Sequence, residues 1–234
     1  AAPPPPPAPV VSGSFLRSGL NSVENLLAPQ GLRRYGVSYA ESLSQYGRVQ
    51  GAAMPVLLFP AAVVSSLGSM LVPELAAAAA RGDKAAIRRS AGRAIRFTLA
   101  FSFFITALLV AFAVPLCRLL FHSEEAGRLL RVMAPVVPLM YVDSVVDSML
   151  KGLDQQMFAF RCNLADSLLR VASVAVGVPL WGMAGYVGSL CFRELFNASL
   201  SVYRLLRVTE LEVDVTGWVV LPALAAGLLY ALLR

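Results

Sequence analysis

Three long runs without a charged residue, Val49 to Pro73, Phe97 to Cys117 and Thr216 to Ala231, restrict this chain more than any other feature. A helix that crosses a ~30 Å hydrocarbon layer needs about 20 mostly apolar residues, because lipid offers no partner to a charge or to an unpaired backbone dipole. The first two runs satisfy that length by themselves, and several further segments carry only one to three charges. Together they predict an all-α membrane protein, a bundle of about seven transmembrane helices. Composition points the same way. Hydrophobic residues make up 57% and charged residues 15%, with a mean hydropathy of +0.68, whereas soluble domains are about 25% charged, so a soluble globular fold is excluded.

The 20 Lys+Arg against 14 Asp+Glu give a formal charge of +6. In a membrane protein that excess is the ordinary positive-inside bias, and it calls for no nucleic-acid partner. Cys117, Cys162 and Cys191 are far apart and the single His122 sits in a polar connection, so neither a metal site nor a disulfide scaffold is expected. The thiols read as small packing residues. With no Ser/His/Asp set, no phosphate-cradling Gly-rich loop and no acidic metal cluster, neither enzymatic activity nor a cofactor is expected.

Residues 1–10 form a Pro-rich linker, since consecutive prolines favour extended polyproline II. Membrane segments are expected at about 11–32, 42–80, 94–120, 126–151, 157–180 and 186–206, with a last one from about 215. That division gives a linker (1–10), a six-helix part (11–208) and a C-terminal segment (209–234). Pro55, Pro60 and Pro73 predict bends in the second segment, and Trp181-Gly182-Met183-Ala184-Gly185 predicts a tight connection. Both ends read as cuts through a longer protein. Assigning the basic 81–96 connection to the cytoplasm places ten Lys/Arg in inner connections against six in outer ones. The linker is then cytoplasmic and the chain multi-pass in the cell membrane.

Each charge inside a membrane helix costs ~2.5–3.5 kcal/mol on insertion scales, so such residues normally face protein or water. In the first segment Arg17, Asn21, Glu24 and Asn25 share one helical stripe. A cation with amide donors suits a phosphate or sugar hydroxyls; the structural alternatives are an Arg17–Glu24 contact or snorkelling of Arg17 to the interface. Asp143 and Asp147 are four apart, with Lys151 one turn further. Two close carboxylates favour a shared proton or a sodium ion, against a polar helix end in which Asp147 pairs with Lys151. Asp166 and Arg170 suit an intrahelical ion pair. Arg193 and Glu194 point about 100° apart and so do not share a narrow face, leaving Arg193 to line a cavity or clamp a neighbouring helix. Arg48, which opens the charge-free second segment, is expected to anchor at the interface, the alternative being contact with a pyrophosphate.

The run Gly47 to Pro60 (GRVQGAAMPVLLFP), then Ser65 to Leu75 (SSLGSMLVPEL), Ala80 to Lys84 (ARGDK), Pro115 to Phe121 (PLCRLLF) and Met149 to Gln155 (MLKGLDQ) are together similar to the stage V sporulation protein B-like polysaccharide-biosynthesis flippases. These belong to the superfamily that also holds the multidrug and toxic compound extrusion transporters and the lipid II flippase. The resemblance covers about Val11 to Arg207. It implies the second six-helix lobe of a two-lobe transporter plus the start of an extra hairpin, with the first lobe, its partner, missing from this chain. It also implies transport of a lipid-linked saccharide on a polyprenyl pyrophosphate carrier, out of membrane lipid, by alternating access. On that reading Arg17, Asn21, Glu24, Asn25, Arg170 and Arg193 bind substrate, and Asp143 and Asp147 couple an ion. The runner-up is a cation-coupled multidrug exporter, favoured if Asp143 or Glu24 is the dominant buried charge. A membrane-embedded glycan polymerase would need a long extracytoplasmic loop or an acidic catalytic motif, and neither is present.

Overall fold

The computed structural model describes the backbone of residues 8–211, 214 and 216–233, and the side chains among these except 8–18, 20 and 21. The described residues are mostly helical and include no strand. In chain order the α-helices are α1 (Ala8–Arg34), α2 (Tyr39–Arg48), α3 (Met54–Leu58), α4 (Ala61–Ala80), α5 (Lys84–Phe121), α6 (Glu124–Met133), α7 (Val137–Gly152), α8 (Gln156–Thr209) and α9 (Leu221–Leu233).

Among the described residues five stretches are long and apolar enough to cross a membrane: Ala61–Ala80, Lys84–Phe121, Glu124–Gly152, Gln156–Thr209 and Thr216–Leu233. The difference from the seven expected segments has two causes. Helix α1 is 27 residues long, but its polar stripe keeps it from qualifying on apolarity. Helix α8 carries two of the expected segments. At Gly182 its backbone leaves the helical region, with φ 58° and ψ −136°, a conformation open to glycine and strained for any residue with a Cβ. The two arms then run antiparallel. Ser189 Oγ donates to the Ser173 carbonyl at 3.0 Å, and a Cβ built on Gly185 would lie 2.0 Å from the Gly177 carbonyl oxygen, so the arms meet backbone to backbone.

Prolines shape the second segment as their chemistry requires. Pro55 has no N–H to donate, and just before it the chain forms a π-helical turn, Val49–Ala53, in which the Met54 N–H reaches back to the Val49 carbonyl. Phe59 and Pro60 then break the helix, and the buried hydroxyl of Tyr141 donates to the Leu57 carbonyl at 2.8 Å. Pro73 lies inside α4 without interrupting it. The basic stretch differs from expectation: only Arg81-Gly82-Asp83 is a turn, and from Lys84 the chain is helical. Asp83 caps α5 by accepting from the Ala86 N–H at 2.9 Å. The 38 residues of α5 reach about 57 Å, well beyond a ~30 Å hydrocarbon layer, so its basic first turns project out of it.

The chain divides into two compact units, Ala1–Tyr46 with Gln156–Asn197, and Gly47–Gln155 with Ala198–Arg234. Within the first, α1 lies along the first arm of α8: Gly31 abuts Val178 and Glu24 meets Arg170. Within the second, α4 and α7 run parallel, since Gly68 packs on Ser148 and Gly152 on Val72, a step of four on each helix. Small residues at such contacts let helices approach closely where lipid supplies no hydrophobic drive.

Candidate functional site

The residues of interest in the first unit come from α1 and the two arms of α8. Glu24, on α1, is 4% exposed, and its Oε2 lies 3.2 Å from Nη1 of Arg170 on the first arm. The other terminal nitrogen of Arg170 lies 3.5 Å from Oδ2 of Asp166, one turn earlier. The same carboxylate accepts from Arg193 Nη1 across the hairpin at 3.1 Å. Arg193 Nη2 donates in turn to Glu194 Oε1 at 2.5 Å. Asp166 is therefore the bridge, held from both arms of α8. Among the described residues three carboxylates face two guanidiniums, which leaves one formal negative charge in excess.

Burial makes this network costly to leave unpaired. A charge removed from water is tolerated when opposite charges and hydrogen bonds replace its hydration. Here all four terminal nitrogens of the two guanidinium forks lie against carboxylates. An anion takes over a terminal nitrogen of Arg170 or Arg193 by displacing a carboxylate, and the excess of acids among the described residues gives the cluster capacity for a proton or another cation.

The other candidates are dispersed. Asn25, exposed, accepts from the Tyr46 hydroxyl at 2.7 Å, and the Tyr46 ring meets Tyr186 edge to face. The side chains of Arg17 and Asn21 lie outside the described residues. Asp143 and Asp147 belong to the second unit, on α7, both half-buried. Asp147 pairs with Lys151 at 2.7 Å. Arg48 pairs with Glu125.

Sequence reasoning had paired Asp166 with Arg170 but not Arg170 with Glu24, which is 146 positions away. It had also separated Arg193 from Glu194 on angular grounds. Their Cβ vectors do diverge, yet the long arginine side chain curls back to its neighbour. Charge count was the only available signal, since five ionisable residues in weakly polar membrane segments must find partners somewhere.

Comparison with known proteins gives the following. The MatE family model matches residues 42–199, which takes in Asp166, Arg170, Arg193 and Glu194 and begins after Glu24. Stage V sporulation protein B of Bacillus subtilis (strain 168) is 26% identical over 153 residues, 65% of this chain and 30% of that protein. Sporulation protein YkvU of the same organism is 29% identical over 116 residues, 50% of this chain and 26% of that protein. The chain thus spans less than a third of the length of the curated relatives it matches. No solved structure matches it significantly.

Proposed function

The chain belongs to the MatE family of multi-pass membrane transporters, and from that premise we propose that it is part of a flippase moving a lipid-linked saccharide across the cell membrane by alternating access. The observation that carries this reading is the buried cluster of Glu24, Asp166, Arg170, Arg193 and Glu194. In the proposed cycle the carboxylates hold the two guanidiniums while no substrate is bound. A pyrophosphate headgroup then takes the place of a carboxylate, with planar forks suited to phosphate oxygens. Proton uptake by the displaced carboxylate offsets part of the negative charge that the headgroup brings. Asp143 is the proposed ion-coupling carboxylate outside this cluster, with Asp147 engaged by Lys151.

The excess carboxylate also favours a second reading, export of cationic compounds coupled to a cation. The two are separated by transport in proteoliposomes holding the full chain. A fluorescent polyprenyl-pyrophosphate saccharide should cross to the protected leaflet, and a cationic dye should not accumulate. Dye transport without movement of the lipid-linked probe would replace the first reading by the second.

A further inference from the structure

A second cluster of charge stands in the other unit. An open cavity of about 790 Å³ is lined by Arg88, Arg89, Arg93 and Arg96 of α5, together with Trp218. Glu74 and Glu210 also line it, so among the described residues the wall carries four guanidiniums against two carboxylates. Those carboxylates are engaged at its margins. Glu210 holds Arg88 at 2.9 Å and Lys84 at 2.9 Å, and Glu74 accepts from Ser90. Arg89, Arg93 and Arg96 make no ion pair among the described residues, and all three are exposed.

Two features fix the level and chemistry of this cavity. The charge-free run after Arg96 continues to Cys117, about 32 Å of helix, which matches a hydrocarbon layer. Arg93 and Arg96 therefore stand where lipid headgroups begin. Trp218 stands with them, its ring 5.9 Å from the Arg96 guanidinium, as an amphipathic aromatic does at an interface. Trp218 is 5% exposed, and its indole N–H has no partner among the described residues. A buried donor of that kind costs free energy until something accepts from it.

We propose that this cavity binds a phosphate-bearing headgroup, that of an anionic phospholipid in the leaflet at the basic end of α5. Cationic pockets between membrane helices at headgroup level suit anionic lipids, whose phosphate is presented there at high local concentration. The forks of Arg89, Arg93 and Arg96 supply the donors, and the edge of Trp218 supplies an apolar wall. The site is independent of what the protein transports.

Native mass spectrometry of the full chain tests this with phosphatidylglycerol and phosphatidylcholine. The wild type should retain phosphatidylglycerol in preference by about tenfold or more. Arg89→Gln/Arg93→Gln/Arg96→Gln should bring it down to the level of phosphatidylcholine, and Arg33→Gln/Arg34→Gln should leave the preference intact. Unchanged preference in the triple variant, or equal loss in the control, overturns the proposal. Thermal shifts with inorganic phosphate separate the sources. No shift supports the lipid, and a shift in the wild type that the triple variant lacks overturns the lipid assignment in favour of free phosphate. Should the triple variant fail to fold, phosphatidylglycerol with a photoreactive headgroup decides the matter in the unmodified protein. Crosslinks to residues 86–96 or Trp218 support the proposal, and crosslinks confined to other segments overturn it.

Discussion

Glu24 and Arg170 are partners of unequal weight. With three carboxylates facing two guanidiniums among the described residues, Glu24→Gln leaves these groups balanced, whereas Arg170→Gln leaves three acids to one base. Removing one partner of a buried pair costs about 3–5 kcal/mol when the other is stranded. Arg170→Gln should fall in that range and Glu24→Gln well below it, as read from denaturation midpoints of the full chain in detergent. Equal losses would mean that charge balance is not what holds the cluster together. The i,i+4 relation of Asp166 to Arg170 was legible in the sequence, because helix geometry places such pairs on one face. The link to Glu24 was not, because a contact across 146 positions leaves no local pattern.

Among the elements, the α8 hairpin depends on a single residue. Gly182 combines a backbone conformation unsuited to a side chain with the ring of Tyr35, whose nearest atoms would stand 2.8 Å from an added Cβ. Gly182→Ala should therefore destabilise by about 1–3 kcal/mol, and a variant as stable as wild type would show that the turn relaxes freely. The start of α5 is tied to the end of α8 by Lys84, Arg88 and Glu210. The Lys84 hydrogen bond and charge, with Arg88 adding to them, hold the Glu210 carboxyl below the usual carboxylate range. A group whose pKa is depressed on folding contributes stability above its unfolded value and loses it as the pH falls through its folded one. The melting temperatures of wild type and Glu210→Gln should accordingly differ near neutral pH, draw together as the pH falls below about 4, and coincide only once it has passed the lowered folded value, where both carry an uncharged group. A gap that widens on acidification would contradict this sign. Segment positions were readable because charge-free runs and Pro or Gly punctuation mark them directly. The helical character of 84–96 was missed because a run of arginines reads as a connection, although Ala, Arg and Lys are strong helix formers.

For the whole molecule the first issue is orientation. Alternating segments predict that Arg81, before α5, and Arg128, after it, face opposite sides, with Arg81 inside. In a background where Cys117, Cys162 and Cys191 are alanine, Arg128→Cys should react with an impermeant maleimide in intact cells, and Arg81→Cys only after the membrane is opened. The reverse pattern would invert the topology. The central claim is that the buried carboxylates hold guanidiniums which substrate phosphate then takes over. Its most direct test is Glu24→Gln/Arg170→Gln in the full chain, because that pair removes one acid and one base and keeps the net charge of the cluster unchanged. We predict that the double variant inserts and melts like wild type, yet translocates the lipid-linked saccharide at least about tenfold more slowly, since one phosphate-binding fork is gone. Translocation at the wild-type rate in that variant would contradict the account and make the cluster a structural tie between α1 and α8.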